Sequence, residues 1–192
     1  MFREIDRTLI DDGAIDRRVG ELADELAAAL QAEIAQTGVE RVAVIPIMTG
    51  ALVFTADLIR RLPLKLSLEL VTVSSYPGRT TESQGVKLRG SIPDGLEGAH
   101  VVVIDDILDS GRTLAAVREA VLEQSPASLR FVVLLEKRAR REQAVNAEQV
   151  GFQIPDEFVV GYGLDYDGYY RNLPQIATLK PEHVRAGGEG DG

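Results

Sequence analysis

Four apolar residues, Val101 to Ile104, constrain the fold more than any other part of the sequence. A continuous run rich in β-branched residues is typical of a strand buried on both faces, as in a parallel sheet covered by helices. Similar runs stand at 41–47 and 130–135, and segments with helical spacing lie between them. Strands that alternate with helices form βαβ units. The sequence therefore predicts an α/β fold with a central, mainly parallel sheet flanked by helices.

Periodicity predicts the remaining elements. Apolar residues recur at helical spacing from about Ala14 to Gln36, where Asp11 or Asp12 can cap the helix and Gly38 can end it. Further predicted elements are a helix that follows Thr49-Gly50 and ends near Arg61, a strand of alternating leucines at 64–72, a helix at about 112–123 and a strand at about 158–162.

A long stretch from Ser74 to about Gly98 is rich in glycine, serine, threonine and proline, with at most a short strand near 86–88. A loop of this length inside a domain is usually functional or mobile. The composition of the tail at 186–192 predicts disorder. There is no internal repeat and no sign of a second large domain.

Composition excludes several classes of protein. A net charge of −9 opposes binding to nucleic acid or to an anionic membrane, because such contacts need clustered lysine and arginine. The chain has no cysteine, which excludes disulfides and thiolate metal sites, and its two histidines are too far apart to form a zinc site by themselves. No apolar stretch reaches the ~20 residues of a membrane span, and the acidic N-terminal segment lacks the features of a signal peptide. We therefore expect a cytoplasmic enzyme.

The segment VVVIDDILDSGRTL, at 101–114, combines features that together suit a sugar phosphate. Backbone N–H groups at the start of a helix, with nearby hydroxyls, form a cradle for an anion, and Gly111 permits a close approach. The paired carboxylates of Asp105 and Asp106 suit the vicinal hydroxyls of a ribose, directly or through a hard cation. Each feature alone has a simpler explanation, a helix cap or a solvated charge. Their combination favours a ribose 5-phosphate site.

The same segment resembles the phosphoribosyl-pyrophosphate signature of type I phosphoribosyltransferases. The resemblance extends over roughly residues 10–182 towards the hypoxanthine-guanine branch of that family, through 45–62, 74–79, 134–140 and 154–174. It implies one domain at 1–185, with a core at about 38–140 and a small hood formed by the N-terminal segment and about 141–182. It also implies transfer of the 5-phosphoribosyl group from phosphoribosyl pyrophosphate to hypoxanthine or guanine, with Mg²⁺, giving IMP or GMP and pyrophosphate.

The resemblance assigns roles at the ribose end of the site. Asp105 and Asp106 match the acidic pair that holds the ribose hydroxyls and magnesium, and Asp109 matches the general acid/base at the imidazole nitrogen of the purine. The residues that match the loop around the 5-phosphate are Ser110, Gly111, Arg112 and Thr113.

The pyrophosphate end is implied by two other segments. Met48, Thr49 and Gly50 match a loop that binds pyrophosphate through backbone N–H groups, and the match places a non-proline cis peptide at Met48–Thr49. Thr49 stands where many relatives have a lysine, so the contact here depends on the backbone. Arg171 matches a residue that grips pyrophosphate, which suits a guanidinium. Ser75 and Tyr76 match a mobile lid.

The purine itself is assigned to the C-terminal third. Lys137 matches the donor to the 6-oxo group; a donor-only side chain favours an oxo acceptor and disfavours adenine. Phe158 matches the aromatic residue that stacks on the base, Val159 a backbone contact to it, and Asp165 a carboxylate linked to magnesium. From composition alone, Lys137 is a solvated lysine and Phe158 is equally a core residue.

Three alternatives stay open at this point. The enzyme could act on xanthine, adenine or a pyrimidine, although Lys137 and the segment at 159–171 argue against the last two. The same fold also serves regulators that sense phosphoribosyl pyrophosphate and bind nucleic acid, but the acidic charge opposes that function. A nucleotide-binding module without turnover is the third. Because relatives form dimers or tetramers, we expect a homodimer or homotetramer that binds neither nucleic acid nor membrane.

Overall fold

The computed structural model of this chain describes residues 2–72, 92–139 and 142–184. Some predicted features therefore lie outside the described residues: the strand near 86–88, the lid residues Ser75 and Tyr76, and the tail at 186–192.

Strands and helices alternate along the chain, as predicted. In chain order the elements are β1 (Ile5–Ile10), α1 (Asp12–Thr37), β2 (Val42–Met48), α2 (Leu52–Ile59), β3 (Leu66–Leu68), β4 (Val71–Thr72), β5 (His100–Leu108), α3 (Arg112–Leu122), β6 (Ser128–Glu136), β7 (Gln149–Gln153), β8 (Val159–Val160) and β9 (Ile176–Leu179), followed by a 3₁₀ turn (Pro181–His183). Among these described residues, no helix combines the length and apolar character needed to cross a bilayer.

The main sheet has the strand order β3-β2-β5-β6-β7, and β4 pairs with the end of β2. Every pairing in it is parallel. Alternate residues of each strand face opposite sides of a sheet. Val102 and Ile104 accordingly pack on the side covered by α1 and α2, and Val101 and Val103 on the side covered by α3. The predicted α/β fold with a central parallel sheet is confirmed.

The ends of α1 follow from the residues predicted to cap it. Asp11 accepts a hydrogen bond from the backbone N–H of Ala14 at 2.7 Å. Gly38 has the left-handed conformation, with φ of 72°, and its N–H reaches the carbonyl of Ile34. Both caps are as the sequence predicts, and they fix the direction in which the chain enters β2.

A small antiparallel sheet of order β1-β9-β8 brings the two ends of the described chain together. We call β1, β8, β9 and the loop at 161–175 the hood. The resemblance places about 141–182 in the hood, whereas β7, within that range, pairs with β6 and extends the main sheet. Gly151 permits this pairing, because an added Cβ would lie 2.5 Å from the carbonyl oxygen of Leu134.

Two strands differ in extent from the prediction. β5 continues through Leu108, because Ile107 and Leu108 keep their parallel register with β6, so Asp105 and Asp106 lie inside the strand and not in a loop after it. The single strand predicted at 64–72 is instead two short strands, β3 and β4, both beside β2. The acidic pair is thereby held by backbone hydrogen bonds on a rigid element.

Candidate active site

A cleft of about 590 Å³ opens where β2 and β5 end. Ligands of parallel α/β sheets bind at this edge. The lining residues come from the β2–α2 loop, the end of β5 with the start of α3, and the hood: Ile47, Met48, Thr49, Gly50, 105–111, Thr113, Leu114, Asp165 and Arg171. Three chain segments predicted to serve one ligand therefore meet in one place.

The β2–α2 loop carries the cis peptide at Met48–Thr49, so that prediction is confirmed. Gly50 lies against the side chain of Asp106, and an added Cβ would overlap the carboxylate. A glycine at this position allows the loop to rest directly on the acidic pair.

The acidic pair lies at the floor of the cleft, where Asp105 is buried, with 6% exposed, and Asp106 is partly buried. Burial and the neighbouring charge of Asp106 hold the pKa of Asp105 well above its usual range. Burial also raises the pKa of Asp106. The backbone N–H of Asp106 donates to Asp105 at 3.0 Å. Two adjacent carboxyl groups, one buried and one partly buried, favour a bound proton or cation over two free negative charges.

Replacing Asp105 by asparagine is expected to raise the midpoint temperature of unfolding by a few degrees at pH 7. A raised pKa in the folded state means that folding binds protons, so stability falls as the pH rises above the unfolded value of about 3.9. Asparagine removes this cost and can still accept the hydrogen bond from Asp106. The gain should vanish below about pH 4. Thermal unfolding of both proteins from pH 3 to 8 measures it; an equal or lower midpoint for the variant at pH 7 contradicts the argument.

The start of α3 presents a helix N-terminus to the cleft. The N-cap residue Gly111, with φ of 82°, has no side chain to cap the helix, and the Ser110 hydroxyl accepts a long hydrogen bond, 3.4 Å, from the backbone N–H of Arg112. Asp109 Oδ1 is buried and has no hydrogen-bond partner among the described residues. The carbonyl of Ser110 accepts from the backbone N–H groups of Glu142 and Gln143 at 2.9 and 3.1 Å, which holds the loop from behind. This arrangement suits an anion at the helix terminus and leaves Asp109 available to a ligand.

The side chain of Arg112 is not part of the cleft. It is exposed and forms an ion pair with Glu142 at 2.5 Å. Of the four residues assigned to the 5-phosphate, the other three line the cleft. Arg112 can therefore contribute its backbone N–H to a phosphate, with its guanidinium directed to the neighbouring loop.

The hood contributes Asp165 and Arg171. The Arg171 guanidinium pairs with Asp165 at 2.7 Å and donates to the carbonyl of Gly163 at 2.6 Å. The N–H of Gly168 donates to the other carboxylate oxygen of Asp165 at 2.8 Å. Arg171 is the basic residue among the described residues that line the cleft.

Three residues assigned to the purine are not among the described residues that line the cleft: Lys137, Phe158 and Val159. Lys137 is buried, and its N–H donates to the carbonyl of Leu108 at 3.0 Å, next to Asp109 in the chain. Phe158 is 44% exposed and meets the ring of Tyr166 edge-on at 5.3 Å. Val159 is buried in β8. Their roles stay predictions.

A divalent cation fits the acidic floor of the cleft. The described residues contain no group of three or more His, Asp or Glu side chains that could hold a metal ion alone. Magnesium, however, is usually bound through one or two carboxylates together with substrate phosphates and water. Asp105 and Asp106 provide such carboxylates, and their raised pKa values indicate a demand for positive charge.

Comparison with known proteins gives the family. Residues 18–167 match the model of the phosphoribosyl transferase domain. The hypoxanthine-guanine phosphoribosyltransferase of Bacillus subtilis is 39% identical over 181 residues, which cover 94% of this chain and 97% of that protein. The chain belongs to the hypoxanthine-guanine phosphoribosyltransferase family.

Other members of the family extend the comparison. The bifunctional protein TilS/HprT of Listeria innocua is 38% identical over 95% of this chain, which spans 27% of that longer protein. A solved structure of hypoxanthine phosphoribosyltransferase from Trypanosoma cruzi, complexed with the product IMP, is 34% identical with a TM-score of 0.84, covering 95% of this chain and 94% of that one.

The sequence analysis did not single out Gly163, which supports the lining of the cleft: its carbonyl accepts from Arg171, and its Cα lies against Gly50. Ile47 and Leu114 line the cleft as well and were expected only as apolar residues of a strand and a helix. The Gly-x-Gly pattern at 161–163 is a signal that could have directed attention to it, because paired glycines mark close approaches of backbone.

Proposed function

We propose that this phosphoribosyltransferase transfers the 5-phosphoribosyl group of phosphoribosyl pyrophosphate to hypoxanthine, guanine or both, and releases pyrophosphate. One observation carries the proposal: a single cleft joins the N-terminus of α3, which its glycine N-cap residue leaves open, with the acidic pair and Arg171. These groups suit, in order, the 5-phosphate, the ribose hydroxyls and the pyrophosphate. The family assignment supports the same reaction.

The charge of the cleft supports a requirement for Mg²⁺. Within the part of the chain that the structure describes, four carboxylates line it, those of Asp105, Asp106, Asp109 and Asp165, together with one guanidinium, that of Arg171. A substrate with several phosphate charges would be repelled from such a surface. Bound magnesium would supply the positive charge that neutralises departing pyrophosphate, held through Asp105 and Asp106, with Asp165 as a further candidate.

The protein's own groups then account for the transfer. Arg171 and the backbone at 48–50 stabilise the charge that grows on the leaving group. Asp109 accepts or donates the proton of the purine imidazole nitrogen, and Lys137, Phe158 and Val159 hold the base for attack on the ribosyl carbon. We also propose that Ser75 and Tyr76 belong to a lid that excludes water from the cationic ribosyl centre.

Replacing Lys137 by alanine is expected to raise the KM for hypoxanthine about tenfold or more, because the 6-oxo group loses its charged donor. The KM for phosphoribosyl pyrophosphate should stay within about twofold, since Lys137 is not among the residues that line the cleft. Steady-state kinetics with each substrate varied in turn measures both. Lys65→Ala, at an exposed lysine, is the control. Equal changes in both KM values would remove Lys137 from base selection.

A base panel tests the proposed function directly. The protein is incubated with Mg²⁺, phosphoribosyl pyrophosphate and each of hypoxanthine, guanine, xanthine and adenine, and nucleotide is measured with and without a chelator. We expect IMP or GMP, lost on chelation. Nucleotide from adenine alone, or from no base at all, would refute the proposal.

Three further proposals concern the oligomeric state, the cellular compartment and the domain organisation. We propose that the enzyme acts as a homodimer or homotetramer, in the cytoplasm, and as one domain with a core and a hood. The absence of cysteine is compatible with that compartment. Light scattering of the purified protein measures the oligomeric state.

A further inference from the structure

We infer that Gly163 is a positioning residue for the pyrophosphate end of the cleft. Because Gly163 has no side chain, the hood loop can rest on the β2–α2 loop. In that position the hood loop holds Arg171 beside the β2–α2 loop. The inference rests on the proposed function, which assigns the pyrophosphate of the substrate to Arg171 and the backbone at 48–50.

The first support is a close approach between two backbones. A Cβ added to Gly163 would overlap the carbonyl oxygen of Gly50, and Gly163 has φ of 102°, which disfavours any side chain. Gly50 lies in turn against the carboxylate of Asp106. The hood loop therefore rests on the β2–α2 loop through Gly163, and that loop rests on the acidic pair through Gly50. Because each glycine lacks a side chain that could separate the layers, a shift in one layer must displace the next.

The second support is that Gly163 also fixes Arg171. Its carbonyl accepts from the guanidinium at 2.6 Å, and its N–H donates to the carbonyl of Arg171 at 3.0 Å. Asp165 holds the other side of the same guanidinium at 2.7 Å. One residue thus contacts both groups assigned to pyrophosphate, the loop at 48–50 through its Cα and Arg171 through its peptide groups.

A neighbouring contact ties the same loop to the core. The hydroxyl of Tyr162 donates to Asp57 at 2.8 Å, and Asp57 lies on α2, which begins directly after the β2–α2 loop. Burial and the charge of Asp57 raise the pKa of Tyr162, so the phenol stays protonated as a donor. Tyr162 and Gly163 together set the distance between the hood and the pyrophosphate loop.

The test compares Gly163→Ala with Gly98→Ala. Gly98 also has positive φ, 67°, but its added Cβ meets no atom of the described residues within 4 Å, so it controls for backbone strain alone. We expect Gly163→Ala to raise the KM for phosphoribosyl pyrophosphate about tenfold or more, with the KM for hypoxanthine within about twofold of wild type. Gly98→Ala should change neither. Calorimetric titration with magnesium pyrophosphate should show the same tenfold loss without any need for turnover.

The possible outcomes separate this inference from the proposed function. The inference is overturned if Gly163→Ala gives the same kinetics and titration as Gly98→Ala. It is also overturned if Gly163→Ala raises both KM values equally. A wild-type protein that forms no nucleotide refutes the proposed function; the titration then decides the inference, and a wild type that binds no pyrophosphate overturns it. If Gly163→Ala does not fold, Tyr162→Phe tests the inference. We expect Tyr162→Phe to raise the KM for phosphoribosyl pyrophosphate about threefold, and an unchanged KM would contradict the inference.

Discussion

Asp109→Asn is expected to lower kcat by roughly 100-fold or more while the KM values for both substrates stay close to those of the wild type. Asp109 lies in the cleft, and its buried oxygen Oδ1 accepts no hydrogen bond from any described group. This oxygen is therefore available to a proton of the ligand. Asparagine keeps the size and the possibility of accepting a hydrogen bond, but it cannot take up a proton. The loss should therefore fall on the chemical step and not on binding.

Single-turnover and steady-state measurements together distinguish these effects for Asp109. Asp94→Asn is the matched control, because Asp94 is exposed and lies outside the residues that line the cleft. The thermal midpoints of both variants should stay near that of the wild type. Turnover of Asp109→Asn close to wild type would exclude this carboxylate from proton transfer.

Gly50→Ala is expected to lower kcat/KM for phosphoribosyl pyrophosphate by about 100-fold or more, since a displacement of about 1 Å at a reacting group can cost that much. The backbone of Gly50 does not need positive φ, so alanine is conformationally permitted. The cost is steric, because the new methyl group would overlap the carboxylate of Asp106. Either the pyrophosphate loop or the acidic pair must move, and both belong to the proposed site.

A double-mutant cycle isolates that contact. Gly50→Ala should lower the midpoint of thermal unfolding in the wild type, whereas the same change in an Asp106→Ala background should cost much less, because the opposing carboxylate is gone. Equal losses of stability in the two backgrounds would show that Asp106 is not what excludes a side chain at Gly50.

The sequence was sufficient to predict those features that depend on local pattern. The apolar runs before Asp105 and after Arg130 indicate buried parallel strands, and parallel strands deliver their C-terminal residues to one edge. The acidic pair, Asp109 and the start of α3 lie within one short segment, so their proximity follows from the chain itself. The cis peptide at Met48–Thr49 followed from the resemblance to the family and could not be derived from composition.

Features that depend on distant contacts could not be predicted in this way. The sequence of β7 contains two glutamines and a glycine, and this composition does not indicate a strand. The segment forms a strand because it pairs with β6, and that pairing requires Gly151. The direction of Arg112 depends on Glu142, thirty positions later in the chain. The role of Gly163 is visible only when Gly50 is beside it.

The pairing of β1 with β9 has a consequence for synthesis of the protein. Ile5 pairs with Leu179, so β1 must wait for β9 to be synthesised before the small sheet can form. The strands of the parallel core precede β9 in the chain, since β7 ends at Gln153. During synthesis the floor of the cleft can thus assemble while the hood that carries Arg171 is incomplete, and catalytic competence should come only after β9 has left the ribosome.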